Sequence, residues 1–146
     1  MTWRNTIRVV LDTNILVSAL LHPQGFPARA FLIALAGTAA QLCVSGDIYA
    51  EYEEVIRRPK FGRSEAVIEL ALGAIRKNGF WVRPSEKVIA CSDPDDDIFL
   101  ECAQAARAQY IATGNLKHFP VKWAESQIVT ARQFVEAMAD MRGGAR

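Results

Sequence analysis

Ile7-Arg8-Val9-Val10-Leu11-Asp12-Thr13-Asn14 carries a short apolar stretch directly into a carboxylate. A brief apolar run closed by polar residues predicts a buried strand, here Arg8–Leu11. The polar trio behind it opens a helix over Ile15–Leu21. In open α/β sheets, ligands bind just beyond the carboxyl ends of the strands, which is where Asp12 falls. Asp is also a favoured helix N-cap. Thr13 and Asn14 can serve as caps equally well, which leaves Asp12 available for other work.

The rest of the chain alternates in the same manner. Pro27–Ala36 predicts a helix with Pro in its first turn and Gly37 at its end. Gln41–Val44 is a strand, Ser45 an N-cap, and Asp47–Arg58 a helix stopped by Pro59. Glu65–Lys77 is helical up to Asn78-Gly79, and Phe80–Val82 is a short edge strand. Asp93-Pro94 opens a helix to Arg107, Tyr110–Ala112 and Ile128-Val129 are strands, and Thr130-Ala131-Arg132-Gln133 matches a capping box for a final helix. Such alternation predicts an α/β fold: a three-layer α/β/α arrangement around a mostly parallel sheet. The expected organisation is one domain over residues 1–141, with 142–146 as a tail.

Composition narrows the function classes. The 146 residues are 51% hydrophobic and 23% charged, as in a globular protein and unlike a disordered one. Lys and Arg number 17 against 16 Asp and Glu, so net charge neither announces nor excludes a nucleic-acid partner. Cys43, Cys91 and Cys102 are odd in number, widely spaced and form no CxxC, which points to a reducing cytoplasm. No charged stretch followed by an apolar signal core opens the chain, and no apolar run has transmembrane length. The expectation is a soluble cytoplasmic protein with no membrane partner. His22 and His118 are the two histidines and lie on separate loops, which disfavours a zinc cluster or a pair of acid–base imidazoles.

Several acids stand out. Glu51 shares a helical face with Ile48, Tyr52, Val55 and Ile56. Glu53 and Glu54 each have an arginine four residues later, Arg57 and Arg58, in the favourable order. Glu51 has none, and an inward carboxylate without a partner is costly. Asp93-Pro94-Asp95-Asp96-Asp97 satisfies a helix N-terminus without any function, yet four crowded carboxylates repel one another and a cation relieves them. Local spacing does not choose among Asp95, Asp96 and Asp97. Tyr110-Ile111-Ala112-Thr113-Gly114-Asn115 repeats the Asp12 arrangement of apolar strand, small turn and short oxygen-bearing side chain. An Asn after Gly is equally a common turn. Among the cations, Arg57, Arg58, Lys60 and Arg63 form a cluster beyond the Glu51 helix, and Lys117-His118 follows Asn115. Either group suits a solvated surface or a phosphate, and Lys117-His118 has the better claim because it adjoins the candidate site. Trp3, Trp81 and Trp123 fit core or interface alike.

Taken in order, Leu11-Asp12-Thr13-Asn14-Ile15-Leu16, Ile48-Tyr49-Ala50-Glu51-Tyr52, and Asp97 eighteen residues before Asn115 resemble the motifs of PIN-domain nucleases. That separation is what favours Asp97 over its neighbours. Arg57-Arg58-Pro59-Lys60-Phe61 and Asp93-Pro94-Asp95-Asp96-Asp97 further resemble a bacterial subgroup of toxin components of toxin–antitoxin systems, related to VapC. The likeness runs from about Arg8 to Val135. It implies a divalent-metal-dependent endoribonuclease with Asp12, Glu51, Asp97 and Asn115 as catalytic residues. Asp12 and Asp97 would hold Mg²⁺ or Mn²⁺, and Glu51 would orient the attacking water. Asn14, Thr113, Lys117, His118, Arg57 and Arg58 would contact substrate. A protein antitoxin and homodimerisation are implied as well. One departure stands out: many members carry Asp at the position of Asn115, and Asn retains an oxygen without the charge. Two other classes compete. A phosphohydrolase with a strand-end Asp nucleophile is one, although Asp12-Thr13-Asn14 lacks the second Asp, two residues on, of the haloacid-dehalogenase-like enzymes. A non-catalytic binding module of the same fold, favoured by Asn115, is the other.

Overall fold

The computed structural model describes the backbone of residues 6–144 and the side chains of residues 6–141. Trp3, Ala145 and Arg146 lie outside the described residues. Six strands form one sheet: β1 (Ile7–Leu11), β2 (Ala40–Val44), β3 (Phe80–Trp81), β4 (Tyr110–Ala112), β5 (Lys122–Trp123) and β6 (Ser126–Val129), in the order β3-β2-β1-β4-β6-β5. All neighbours are parallel except β5 and β6.

β1 lies in the interior of the sheet, and Val9, Val10 and Leu11 are all buried. Burial on both faces is why its Val9–Leu11 stretch is continuously apolar rather than alternating. Its register sets Val9 beside Leu42 on one side and Leu11 beside Ala112 on the other. The chain runs outward from β1 through β2 to β3 on one flank, and β4, β6 and β5 build the other. The β1/β4 border is therefore the switch point at which strand order reverses, where open α/β sheets place their ligands.

Helices α1 (Thr13–Leu21), α2 (Phe26–Ala36), α3 (Gly46–Ile56), α4 (Glu65–Asn78), α5 (Asp97–Ala106) and α6 (Ala131–Gly144) flank the sheet and complete the three-layer α/β/α arrangement. α2 packs on β1 and β2 and against α6, while α5 packs on β1, β2 and β4 and against α3. The caps follow the side chains that the sequence supplies. Ser45 accepts from the Ile48 amide, and Thr130 and Gln133 exchange reciprocal side chain–backbone bonds at the head of α6.

Four boundaries differ from the sequence expectation. α1 begins at Thr13, so Asp12 occupies the N-cap position, though its side chain makes no cap hydrogen bond. The helix expected from Asp93 divides into a 3₁₀ turn over Pro94–Asp96 and α5 from Asp97, because Asp93 caps the tight turn by accepting from the Asp95 amide. β5 was not expected; two residues closing a hairpin onto β6 carry too short a pattern to read. α6 runs to Gly144, through three residues of the stretch read as a tail. Among the described residues, no helix is long and apolar enough to cross a membrane.

Candidate functional site

The sheet ladder continues one step beyond β1 and β4. The Asp12 amide donates to the Ala112 carbonyl and the Thr113 amide to the Val129 carbonyl, each across 2.9 Å. Both side chains are thereby fixed at the carboxyl edge of the sheet. Thr113, fully buried, donates its hydroxyl to Asp12 Oδ2 across 2.7 Å and accepts the Asn115 amide across 2.9 Å. Asp12 is 4% exposed, and burial raises its carboxyl above the usual range. The Thr113 bond and the nearby amides of Thr13 and Asn14 offset part of that rise. Asn14 itself is exposed on the first turn of α1.

α3 brings in Glu51. Its side chain is half-buried, and Thr13 donates to its Oε2 across 3.2 Å. Burial raises its pKa, and the charges of Glu54, Asp12 and Asp95 raise it further. Glu53 and Glu54 pair with Arg57 and Arg58, both at 2.9 Å, as their spacing predicts. Tyr52, the next residue, is buried and donates to the Leu11 carbonyl across 2.5 Å.

The four acids of the Asp93–Asp97 run separate by role. Asp93 caps the 3₁₀ turn, and Asp95 is exposed. Asp97 is buried and turns toward the preceding segment, where its Oδ1 accepts the amides of Ala90 and Cys91 across 3.1 and 2.8 Å. Asp96 is the one raised by other acids of the site. Its carboxyl is pushed up to about 6 by burial and by the charges of Asp12 and Asp93, with Glu51 adding to the rise and His118 opposing it. Its Oδ2 lies 3.8 Å from Nδ1 of His118. Asp96 is therefore a further candidate beside Asp97, the residue that the eighteen-residue spacing to Asn115 favours. A 3₁₀ turn over Pro94–Asp96 precedes α5, and no local pattern in a run of aspartates announces it.

The cations divide as well. Arg57 is held by Glu53 and Glu65, and Arg58 by Glu54, so these two arginines of the cluster are neutralised by their own neighbours, while Lys60 and Arg63 have no ion pair among the described residues. Lys117 and His118 sit on a 3₁₀ turn over Leu116–His118, directly after Asn115, and Lys117 is exposed with no ion pair among the described residues. Cys91, beside Asp97, has its thiol pushed up to about 12 by burial, the Asp97 hydrogen bond and surrounding acids, which keeps it protonated and unreactive. Glu101 is a buried acid that the sequence did not single out. It accepts the Val88 amide across 3.1 Å and so fixes the segment ahead of Cys91.

Asp12 after β1, Glu51 on α3 and Asp96 in the turn before α5 are thus near enough that the charge of Asp12 raises Glu51 and those of Asp12 and Glu51 raise Asp96. Among the described residues, no Lys or Arg forms an ion pair with Asp12, Glu51, Asp96 or Asp97. Nor do three or more His, Cys, Asp or Glu side chains form a group able by itself to hold a metal ion among these residues. Buried and partly buried acids, two of them raised further by neighbouring carboxylates, fit a divalent ion that brings its own waters. Mg²⁺ is ordinarily held by one or two carboxylates, completing its octahedron with water and substrate phosphate.

The chain is 24% identical over 143 residues to the uncharacterized protein MJ1680 of Methanocaldococcus jannaschii, covering 89% of this chain and 90% of that protein. PIN domains are typically nucleases and usually use divalent metals. A model of the PIN domain matches residues 8–117, more than half of the chain, and this protein therefore belongs to the PIN-domain family.

Proposed function

We propose that this protein is a divalent-metal-dependent endoribonuclease that hydrolyses RNA phosphodiester bonds and acts as the toxin of a toxin–antitoxin pair. What supports the reading is the electrostatic influence of Asp12 on Glu51, and of both on Asp96, with no arginine or lysine in an ion pair with any of the three among the described residues. Asp12 and Asp96 hold the ion. Asp97 secures the Ala90–Cys91 backbone through Oδ1 and offers Oδ2 as a further ligand. When bound, Mg²⁺ or Mn²⁺ acidifies the attacking water and offsets charge building on the phosphodiester.

The chain's own side chains supply the rest. Glu51, with Oε2 held by Thr13, keeps Oε1 to accept a hydrogen bond from the water and orient it toward phosphorus. Asn115 contributes a neutral polar group beside Thr113, and Asn14 and Lys117 meet the RNA from the exposed rim. Arg57 and Arg58 play a smaller part than their charge implies, because glutamates already hold them. A cytoplasmic setting, a small protein antitoxin that silences the site and a homodimer complete the proposal.

The test is cleavage of end-labelled RNA with Mn²⁺, with and without chelator, beside matched DNA and a small phosphomonoester. Internal RNA cuts that disappear with chelator and in Asp12→Asn are expected. Phosphomonoester turnover with RNA left intact would transfer the site to a phosphohydrolase. Tight RNA binding without any cleavage would favour a non-catalytic binding module, the reading that Asn115 supports.

A further inference from the structure

Both chain neighbours of Asp12 are hydrogen-bonded to α3, and to consecutive residues of it. On one side, the Tyr52 hydroxyl donates to the Leu11 carbonyl across 2.5 Å. On the other, the Thr13 hydroxyl donates to Glu51 Oε2 across 3.2 Å. Residues 11 and 13 thus grip residues 52 and 51, and Asp12 lies between the two bonds. Each partner comes from a distant part of the chain, since about forty residues separate β1 from α3. α1 and α3 also pack on one another, but apolar packing sets a separation only loosely along the helix axes. Directed hydrogen bonds to a backbone carbonyl and to a carboxylate fix it.

Tyr52 is 1% exposed, so its hydroxyl works in a medium where a bond is strong and its loss is felt. The carbonyl it reaches lies past the last paired residues of β1 and β2, Val9 and Leu42. A phenylalanine would fill the same space without reaching that oxygen. The hydroxyl acts on the backbone one residue from Asp12, and the helix carrying it presents Glu51 one residue earlier.

We propose that Tyr52 and Thr13 are positioning residues forming a two-point clamp that sets the spacing between the Asp12 and Glu51 carboxylates. The proposal rests on the reading of this site as a nuclease centre. A displacement of about 1 Å at a reacting group can cost about 10²-fold in rate, so spacing held by two bonds is a catalytic variable.

The experiment compares Tyr52→Phe, Thr13→Val and Thr13→Ser in the full chain, each also combined with Glu51→Gln. Tyr52→Phe and Thr13→Val are expected to lower kcat roughly tenfold or more while KM stays within about twofold, and Thr13→Ser to restore most of the rate. In the Glu51→Gln background neither should cost more than about twofold further, because both act through Glu51. Losses that simply multiply with that of Glu51→Gln, or an unchanged kcat in folded Tyr52→Phe, would overturn the clamp. Crystal structures of the unmodified chain and of Tyr52→Phe supply a readout independent of activity. A shift of the Glu51 carboxylate relative to Asp12 is expected, and unchanged positions reject the clamp. If the unmodified chain cuts no RNA, the nuclease reading fails while this comparison still decides the clamp. Should Tyr52→Phe not fold, Thr13→Val against Thr13→Ser carries the same test.

Discussion

Thr113 donates its hydroxyl hydrogen to Asp12 Oδ2 across 2.7 Å, although 101 residues separate the two in sequence. The bond joins the ends of the two strands that border the switch point of the sheet. It also holds the turn carrying Asn115, since the same hydroxyl oxygen accepts the Asn115 amide. Thr113→Val should destabilise the fold by about 1–3 kcal/mol, because a buried carboxylate loses a donor and a half-buried amide an acceptor. Thr113→Ser should recover most of that loss. Urea unfolding of the three proteins measures both.

Glu51→Gln retains shape and removes charge. RNA cleavage should fall about 10²-fold or more. Glu53→Gln and Glu54→Gln should leave it nearly intact, because exposed pairs with Arg57 and Arg58 contribute little. Equal losses at positions 51 and 53 in single-turnover kinetics would place the water-orienting group elsewhere.

A bound cation should relieve the mutual repulsion of Asp12, Glu51 and Asp96. The thermal midpoint should then rise with millimolar-range Mn²⁺, by ordinary linkage. The rise should vanish in Asp12→Asn and Asp96→Asn and persist in weakened form in Asp97→Asn, whose amide oxygen can still accept from Ala90 and Cys91. Differential scanning fluorimetry of the four proteins is sufficient. Loss of the rise in Asp97→Asn alone would restore the assignment drawn from the eighteen-residue spacing.

The response to pH has a definite sign. Asp96 titrates near 6 in the folded protein, above its ordinary carboxylate value, so between the two values the folded chain holds a proton that the unfolded chain has lost. Without metal, this group withdraws stability as pH rises through that interval. With Mn²⁺ the trend should reverse, because the ion requires the ionised carboxylate. The Mn²⁺-induced rise in midpoint should therefore be small at about pH 5 and approach its plateau by about pH 7.5. A rise of the same size at both pH values would remove Asp96 from the ion's ligands.

Asn115 is held by its amide to Thr113, which leaves its side chain as the variable group. Asn115→Asp adds a carboxylate two residues from Thr113, the partner of Asp12, so it should lower the midpoint without metal, raise Mn²⁺ affinity and preserve or increase cleavage. Calorimetric titration with Mn²⁺ checks the affinity. Weaker binding in Asn115→Asp would mean that position 115 faces the RNA rather than the ion.

What could be read from sequence followed from how local the responsible physics is. β1, α3 and the Thr130 cap declare themselves within a few residues, by an unbroken apolar run, a 3.6-residue face and a capping box. Glu51 was legible because Glu53 and Glu54 were already explained by Arg57 and Arg58, which left one acid without a partner. The division between Asp96 and Asp97 was not legible. It depends on a single 3₁₀ turn and on amides supplied by Ala90 and Cys91, from a segment without regular structure. The neutralisation of Arg57 by Glu65 was hidden for a similar reason, since it crosses from α3 to α4. The Tyr52–Leu11 bond is long-range, and nothing in either residue's neighbourhood foretells it.

The sheet ends in two strands of two residues each, β3 and β5. So short an outer strand exposes few unpaired amides and carbonyls, and Lys122 places a charge on one of them. A second chain therefore finds almost no template for extending the sheet, and end-to-end β polymerisation is blocked at both margins. Any copy of this protein that joins another is steered to surfaces other than the two margins of the sheet.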